Sequence, residues 1–380
     1  MKSLTTIIKD KVKNTILFLD YLLWLLFDLS KFKKIKKERI KKVLIIHLGA
    51  IGELVTSSVL LPPLKENFNC EIDYMINPRK ETVIENNPHI SKILTYEKDF
   101  KENIKKLKEE NFDLVIILAP GTTKMALICL LAGIKYRIGC FTGAQNIPAF
   151  FYTRRKFPFK RIHAVQENLE IIRTIGIDNK NPKLEFYISD KDKKSAEEKL
   201  KELSIKDYII VHPTFSFMTE HEFPSRLWPS DRWAAVIDYL IETYKIKVLL
   251  TGSQKEKYYS EEIFGKLKNK EMAIVTSGMF NLGETAYLVS KTKLWIGTST
   301  GITHITASFN TPIIELAGQN DPWQWHPWMS KNRYRIVRHL EKCSGCNLMY
   351  CRKKNLECMN AIKVEEIIDA IKELEGEVFE

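Results

Sequence analysis

Short apolar runs alternate with amphipathic stretches along most of the chain. "KVLIIHLG" (42–49), "EIDYMIN", "KILTYE" and "FDLVIILAP" read as buried strands, and the stretches 54–67 and 100–110 between them carry a helical period. "YRIGC" (136–140) adds a strand and "AVQENLEIIRTIGI" (164–177) an amphipathic helix, before the polar, turn-rich "DNKNPKLEF" marks a boundary near residue 180. The pattern then restarts. "DYIIVHP" (207–213), "KVLLTG", "MAIVTSG", "KLWIGT" and "PIIELAG" read as strands, with helices over 231–244, "SEEIFGKLKNK" and "GETAYLVSKT" between them, and "VEEIIDAIKELEGE" closes the chain as a helix.

Strands alternating with helices predict parallel βαβ units. Two such units of about 150 residues, each opening on a strand that runs into a turn, predict an α/β protein of two Rossmann-like domains facing a cleft. The expected domains are 41–180 and 181–340, with a separate segment at 1–40 and a Cys-rich segment and final helix at 341–380. A content of 44% hydrophobic and 28% charged residues in 380 excludes a disordered chain.

Charge changes the picture at one end only. Residues 1–42 hold twelve basic and four acidic residues, +8 of the formal +12. The apolar core of that segment, "ILFLDYLLWLLFDL" (16–29), contains Asp20 and Asp28 and falls short of the ~20 residues a spanning helix needs. No small-residue cleavage site follows it. A helix lying in the headgroup layer is expected, with Tyr21 and Trp24 at the interface and the lysines of "SKFKKIKKERIKK" on an anionic membrane surface, each worth ~1 kcal/mol. Docking of this helix on another apolar surface is the alternative. The run carries no base-reading motif, so no nucleic-acid partner is expected.

Candidate chemistry lies where strands end. In "HLGAIGELVTSSVLLPPLK" (47–65) the third glycine of a dinucleotide turn is missing, and Glu53 stands just past a strand. A carboxylate there can accept a proton from an attacking hydroxyl; a first-turn Glu favoured by the helix dipole is an equal reading. "VHPTFSFMTEHEFPSRLWPSDRW" (211–233) puts Thr214 and Ser216 past the next unit's first strand, with Arg226 following and a helix capped by Ser230 or Asp231. Hydroxyls and a guanidinium fork suit a diphosphate. In "LWIGTSTGITHITASFNTPIIELAG" (294–318), Ser299, Thr300 and Gly301 form a small-residue turn between strand and helix, a place that offers unpaired backbone N–H groups to an anion.

Taken together, these segments resemble glycosyltransferase family 9, the heptosyltransferases of the lipopolysaccharide inner core. "IGELVTSSVLLPPLK" (51–65) matches the family's Gly-Asp turn and Leu/Pro-rich helix. "HP" (212–213) and "RLWP" (226–229) match His-Pro-Gly and Lys-x-Trp-Pro. "STGITHITASFNTPIIELAG" (299–318), with "NDPWQWHP" (320–327), matches Asp-Ser/Thr-Gly-x-x-His, an Ala-rich helix, Pro, a strand and Gly. The resemblance spans about 43–335. It implies a GT-B fold with the acceptor on the N-terminal domain, a nucleotide sugar on the C-terminal one and no cofactor required for catalysis. It further implies Glu53 as catalytic base in place of the family's Asp, Arg226 in place of the phosphate-binding Lys, and Thr300 and Gly301 at the donor diphosphate. His304 either faces the donor or braces the loop. Ser299 replaces an Asp that contacts donor hydroxyls, which leaves the sugar open, with ADP-heptose the default.

Cys343, Cys346, Cys351 and Cys358, spaced C-x2-C-x4-C-x6-C, form a candidate four-thiolate site for structural zinc, with disulfides or free thiols as alternatives. Cys70, Cys129 and Cys140 read as inert core thiols. The expected function is an inverting transfer of heptose from ADP-heptose to a lipid-linked inner-core acceptor, by a cytoplasmic enzyme peripheral on the inner face of the cytoplasmic membrane. A non-catalytic nucleotide-sugar-binding relative, or a transferase acting on a protein or another glycan, are the alternatives.

Overall fold

Each half of the chain builds a six-stranded parallel sheet. The computed structural model describes residues 15, 19, 35, 37–118, 123–140, 151–156, 162–215, 223–319 and 321–379. The chain divides after Pro182 into two compact units. The first contains β1 (Lys42–Ile46), β2 (Glu71–Ile76), β3 (Lys92–Thr95), β4 (Leu114–Ile117), β5 (Tyr136–Cys140) and β6 (Arg154–Lys156), in the order β3-β2-β1-β4-β5-β6. The second contains β7 (Tyr208–His212), β8 (Lys247–Leu250), β9 (Ala273–Val275), β10 (Trp295–Thr298), β11 (Ile313–Leu316) and β12 (Tyr334–Val337), in the order β12-β11-β10-β7-β8-β9. Counted from its own first strand, each sheet runs 3-2-1-4-5-6, the doubly wound order, so each has a switch point beside its first strand.

The central strands are mostly apolar because both faces of a parallel sheet are covered. Val43 to Ile46 and Ile209 to Val211 are buried without alternation. Helix boundaries follow local chemistry. The single helix expected over 54–67 is three pieces: Ile51–Ser57, a 3-10 turn at Ser58–Leu60, and Leu61–Phe68. Pro62 and Pro63 have no N–H to donate and are tolerated only where a new helix begins. Asn69 ends that run in the left-handed region at φ 47°.

Ser230 and Asp231 do not cap the helix Ser230–Tyr244. Pro229 occupies the cap position without a side-chain bond, and the Ser230 hydroxyl donates to Glu262 instead. The C-terminal residues are not a separate segment either. Met359, Ile362, Ile367, Ile371 and Leu374 belong to the second unit's core, beside Trp228 and Trp233. These two indoles meet edge to face at 4.9 Å, and Trp228 Nε1 donates to the Ile362 carbonyl at 3.1 Å.

Among the described residues no helix is long and apolar enough to cross a membrane. Apart from Leu19, the apolar helix expected over 16–29 lies outside the described residues, as do residues 30–34 and 36 of the basic run behind it.

Candidate active site

The first unit places Glu53 by a tight local arrangement. β1 ends at Ile46, and His47 to Ala50 lead into the helix Ile51–Ser57. The Ala50 N–H donates to Glu53 Oε2, the Gly49 N–H donates to His47 Nδ1 at 3.2 Å, and the Lys80 ammonium donates to the Gly49 carbonyl. Glu53 therefore does close the helix N-terminus, as the dipole reading expects, and the same bond fixes its carboxylate at the sheet's C-terminal edge. Burial pushes that carboxyl above the ordinary range, against the opposing pull of the Ala50 N–H and the Lys80 charge. Burial also drives His47 down to about 4, so it stands neutral beside Glu53 at physiological pH.

A Cβ at Gly49 would collide with both the Glu53 carboxylate and the His47 ring. Gly49→Ala is accordingly expected to displace Glu53 and lower turnover by up to about 10²-fold. Unaltered kinetics in that variant would show that the carboxylate's placement is not needed.

In the second unit, the loops after β7 and β10 leave the sheet side by side, since Gly297 pairs with His212 in register. A Cβ on Gly297 would run into the His212 carbonyl and the Trp295 ring, which is why the strand carries glycine there. Thr300 caps the helix Gly301–Ser308, and its N–H donates to Thr303 Oγ1 at 3.1 Å. The first-turn N–H groups of that helix have no carbonyl four residues back to bond. The guanidinium of Arg226 reaches this turn. Its Nη1 donates to the Ser299 carbonyl, and its carbon lies 5.4 Å from the centre of the Phe215 ring. Burial pulls Arg226 down to about 10, with Glu315 opposing the shift.

The other expected donor-site residues divide. Thr214 is fully buried and its hydroxyl donates to Glu256 at 3.3 Å, so it braces the loop after β8 from inside. Ser216 lies outside the described residues. His304 is 4% exposed, its Nδ1 has no hydrogen-bond partner, and its ring meets Trp325 edge-on at 6.3 Å. Burial, with the charges of His326 and Arg226, holds it near 4. His212 is bonded through Nδ1 to Thr251 Oγ1 at 2.9 Å and is likewise depressed to about 4, by burial.

The cysteine segment joins this site by its backbone. Ser225 N–H donates to the Met349 carbonyl at 3.2 Å and Cys351 N–H to the Phe223 carbonyl at 2.9 Å, so the segment pairs with the stretch just ahead of Arg226. Asn347 N–H donates to the Gln319 carbonyl at 3.1 Å, tying it also to the loop after β11. The thiols of Cys343, Cys346, Cys351 and Cys358 are free. Among the described residues no three His, Cys, Asp or Glu side chains converge as a metal-holding set. The sulfurs do lie near one another: burial first, and then the neighbouring Cys343, Cys346 and Cys351, push Cys358 up to about 11. Burial pushes Cys351 up, but the N–H groups of Leu356, Asn355, Lys353 and Lys354 outweigh it and hold that thiol below its ordinary value. Cys358 is buried so near Gly318 that a Cβ there would lie 3.0 Å from its sulfur. Of the isolated thiols, Cys70 and Cys129 are buried and pushed up by burial to about 11 and 12, as inert core thiols should be.

Lys80 and Glu315 are the members the sequence did not single out. Lys80 follows β2, far along the chain from Gly49, and nothing local marks it. Glu315 did leave a signal, as the lone acid inside the apolar run "PIIELAG".

The model of glycosyltransferase family 9 (heptosyltransferase) matches residues 101–357. Lipopolysaccharide heptosyltransferase 3 of Escherichia coli (strain K12) is 24% identical over 347 residues, covering 85% of this chain and 95% of its own. The solved glycosyltransferase family 9 protein of Veillonella parvula superposes with a TM-score of 0.74 at 19% identity, over 90% of this chain and 98% of that one. The E. coli ADP-heptose lipopolysaccharide heptosyltransferase II does so with a TM-score of 0.68 at 20% identity, over 89% and 98%. At these identities the structural likeness fixes the fold, two parallel-sheet α/β domains of the GT-B type. Because that family model matches more than half of the chain, the chain belongs to glycosyltransferase family 9 and is a glycosyltransferase.

Proposed function

We propose that this protein transfers heptose from ADP-heptose to a lipid-linked sugar of the lipopolysaccharide inner core, with inversion at the anomeric carbon. The observation that carries the reading is Arg226 held against the N-terminal turn of the helix Gly301–Ser308 at the β7/β10 switch point. A guanidinium and a helix N-terminus together suit the diphosphate of a nucleotide sugar. The choice of ADP-heptose follows the relatives, which are named for heptose transfer to lipopolysaccharide and, in one solved structure, for ADP-heptose.

In the proposed reaction an acceptor hydroxyl attacks the anomeric carbon from the face opposite the diphosphate. The new C–O bond forms as the bond to the diphosphate breaks, ADP leaves with the electron pair, and the hydroxyl proton passes to Glu53. A carboxyl raised by burial is a stronger base than an exposed one. Charge building on the leaving ADP is met by Arg226 and the N–H groups at Thr300 and Gly301. The basic, apolar residues 1–42 would keep the enzyme on the cytoplasmic leaflet beside a lipid-linked acceptor. Mass spectrometry of the cell's lipopolysaccharide with and without the gene tests this. Loss of a heptose-bearing core species is expected, and an unchanged core would remove lipopolysaccharide as the product.

A further inference from the structure

The proposed reaction leaves Glu315 without a task, although burying a carboxylate is costly unless something answers its charge. Glu315 lies in β11, in register with Gly297 of β10 and Ile336 of β12, and is 2% exposed. Its carboxyl accepts a hydrogen bond from the Ser299 side chain, while its Oε2 is buried without any hydrogen-bond partner. The cation it senses is Arg226, whose Nε is also buried without a hydrogen-bond partner. The other titratable groups around the pair are Tyr334 of β12, pushed up by burial and by Glu315, and His304, which burial keeps neutral. His326 stacks on Tyr334 at 6.1 Å.

We infer that Glu315 is a positioning residue that acts through Arg226. Ionised, it is the counter-charge that keeps Arg226 at the Ser299 turn while the site is empty. When a nucleoside diphosphate arrives and becomes the anion paired with Arg226, Glu315 takes up a proton from solvent and becomes neutral. This rests on the reading of the Arg226 turn as the diphosphate site.

The physical reason is a conflict of charges. With the site empty, Arg226 beside a neutral Glu315 is a buried cation without a counter-charge, held only by the Ser299 carbonyl and the Phe215 ring. With the site filled, an ionised Glu315 repels the added phosphates across a low-dielectric gap. One carboxyl resolves both only if it changes protonation near working pH. Burial, opposed by Ser299 and Arg226, brings Glu315 up to about 7. The carboxyl is then part ionised at pH 7 in the free protein, so binding draws in a fraction of a proton per diphosphate. Ser299 fits the same logic. Its hydroxyl supports the charged carboxyl without adding a second charge, whereas the Asp expected at this position would put two carboxylates together.

The test is calorimetric titration of the full chain with ADP at pH 7 in two buffers of different ionisation enthalpy. Wild type is expected to take up a fraction of a proton more per ADP than Glu315→Gln, the ionisation of ADP itself being common to both. Equal uptake by two proteins that both bind ADP overturns the inference and leaves the diphosphate site standing. A wild-type protein that binds no ADP overturns the site reading and the inference with it. Should Glu315→Gln fail to fold, Ser299→Ala provides the comparison. Losing the hydroxyl raises the free carboxyl's pKa, so the uptake maximum moves to higher pH, and an unshifted maximum overturns the inference.

Discussion

Glu53→Gln is expected to lower turnover about 10²–10⁴-fold, the usual worth of a general base, while leaving ADP affinity within a factor of about two. The reasoning starts from the turn. The amide oxygen of Gln can still accept the Ala50 N–H, so the helix start survives, and His47 and Gly49 keep their bond. Only the ability to take a proton is lost. Donor contacts proposed for the second unit are untouched, which is why affinity and turnover should separate. The wild-type rate should also fall on the acid side of a pH profile as Glu53 is protonated. That limb lies above the ordinary carboxylate range because burial raises the group, and it should vanish in the variant. Near-normal turnover with an unchanged acid limb would take Glu53 out of the chemistry and leave it as a helix-start residue.

Arg226→Ala is the second large effect. It should weaken ADP and ADP-heptose together by about 1.5–3 kcal/mol, the range for a hydrogen bond to a charged group, or roughly 10–150-fold. Adenosine, which has no phosphates, should bind as before. The fold should survive, because Glu315 left without its cation can neutralise itself by taking a proton instead of forcing the sheet apart. Arg226→Lys should lose less, since it keeps the charge and gives up the fork. Equal losses for ADP and adenosine would mean that Arg226 supports the loop through Phe215 and Ser299 without meeting the diphosphate.

Much of the fold was legible because burial on both faces leaves a plain trace. β1 and β7 carry the unbroken apolar runs Val43–Ile46 and Tyr208–Val211, β11 is broken only by Glu315, and the restart after residue 180 showed that there were two sheets. The elements that escaped lack such a trace. β6 is the three-residue edge strand Arg154–Lys156, without an apolar residue. The helix Thr123–Leu131 is apolar on nearly every side, so no helical stripe stands out in it. The helix Asp190–Glu202 buries only Ala196 and Leu200, too few to set a period.

The site was legible to the extent that its chemistry is local. Glu53 and the turn Ser299–Gly301 stand where a strand meets a helix, and a doubly wound sheet collects ligands there. Thr214 looked like a phosphate contact because hydroxyl and strand end coincide, but the loop after β8 brings Glu256 to it. Lys80, Glu315 and the bracing by residues 347–351 depend on chain crossings that no window of sequence contains. The cysteines show the same limit, since their spacing fits a metal, disulfides or free thiols alike, and only the fold brings Cys343, Cys346 and Cys351 near Cys358.

The most direct measurement is release of ADP by the purified full-length protein from ADP-heptose, with and without a lipopolysaccharide acceptor truncated to its lipid-linked inner core. The account predicts ADP release that depends on acceptor and leaves the acceptor heavier by one heptose. ADP-heptose that stays intact with acceptor present, under conditions where the protein binds ADP, would contradict it.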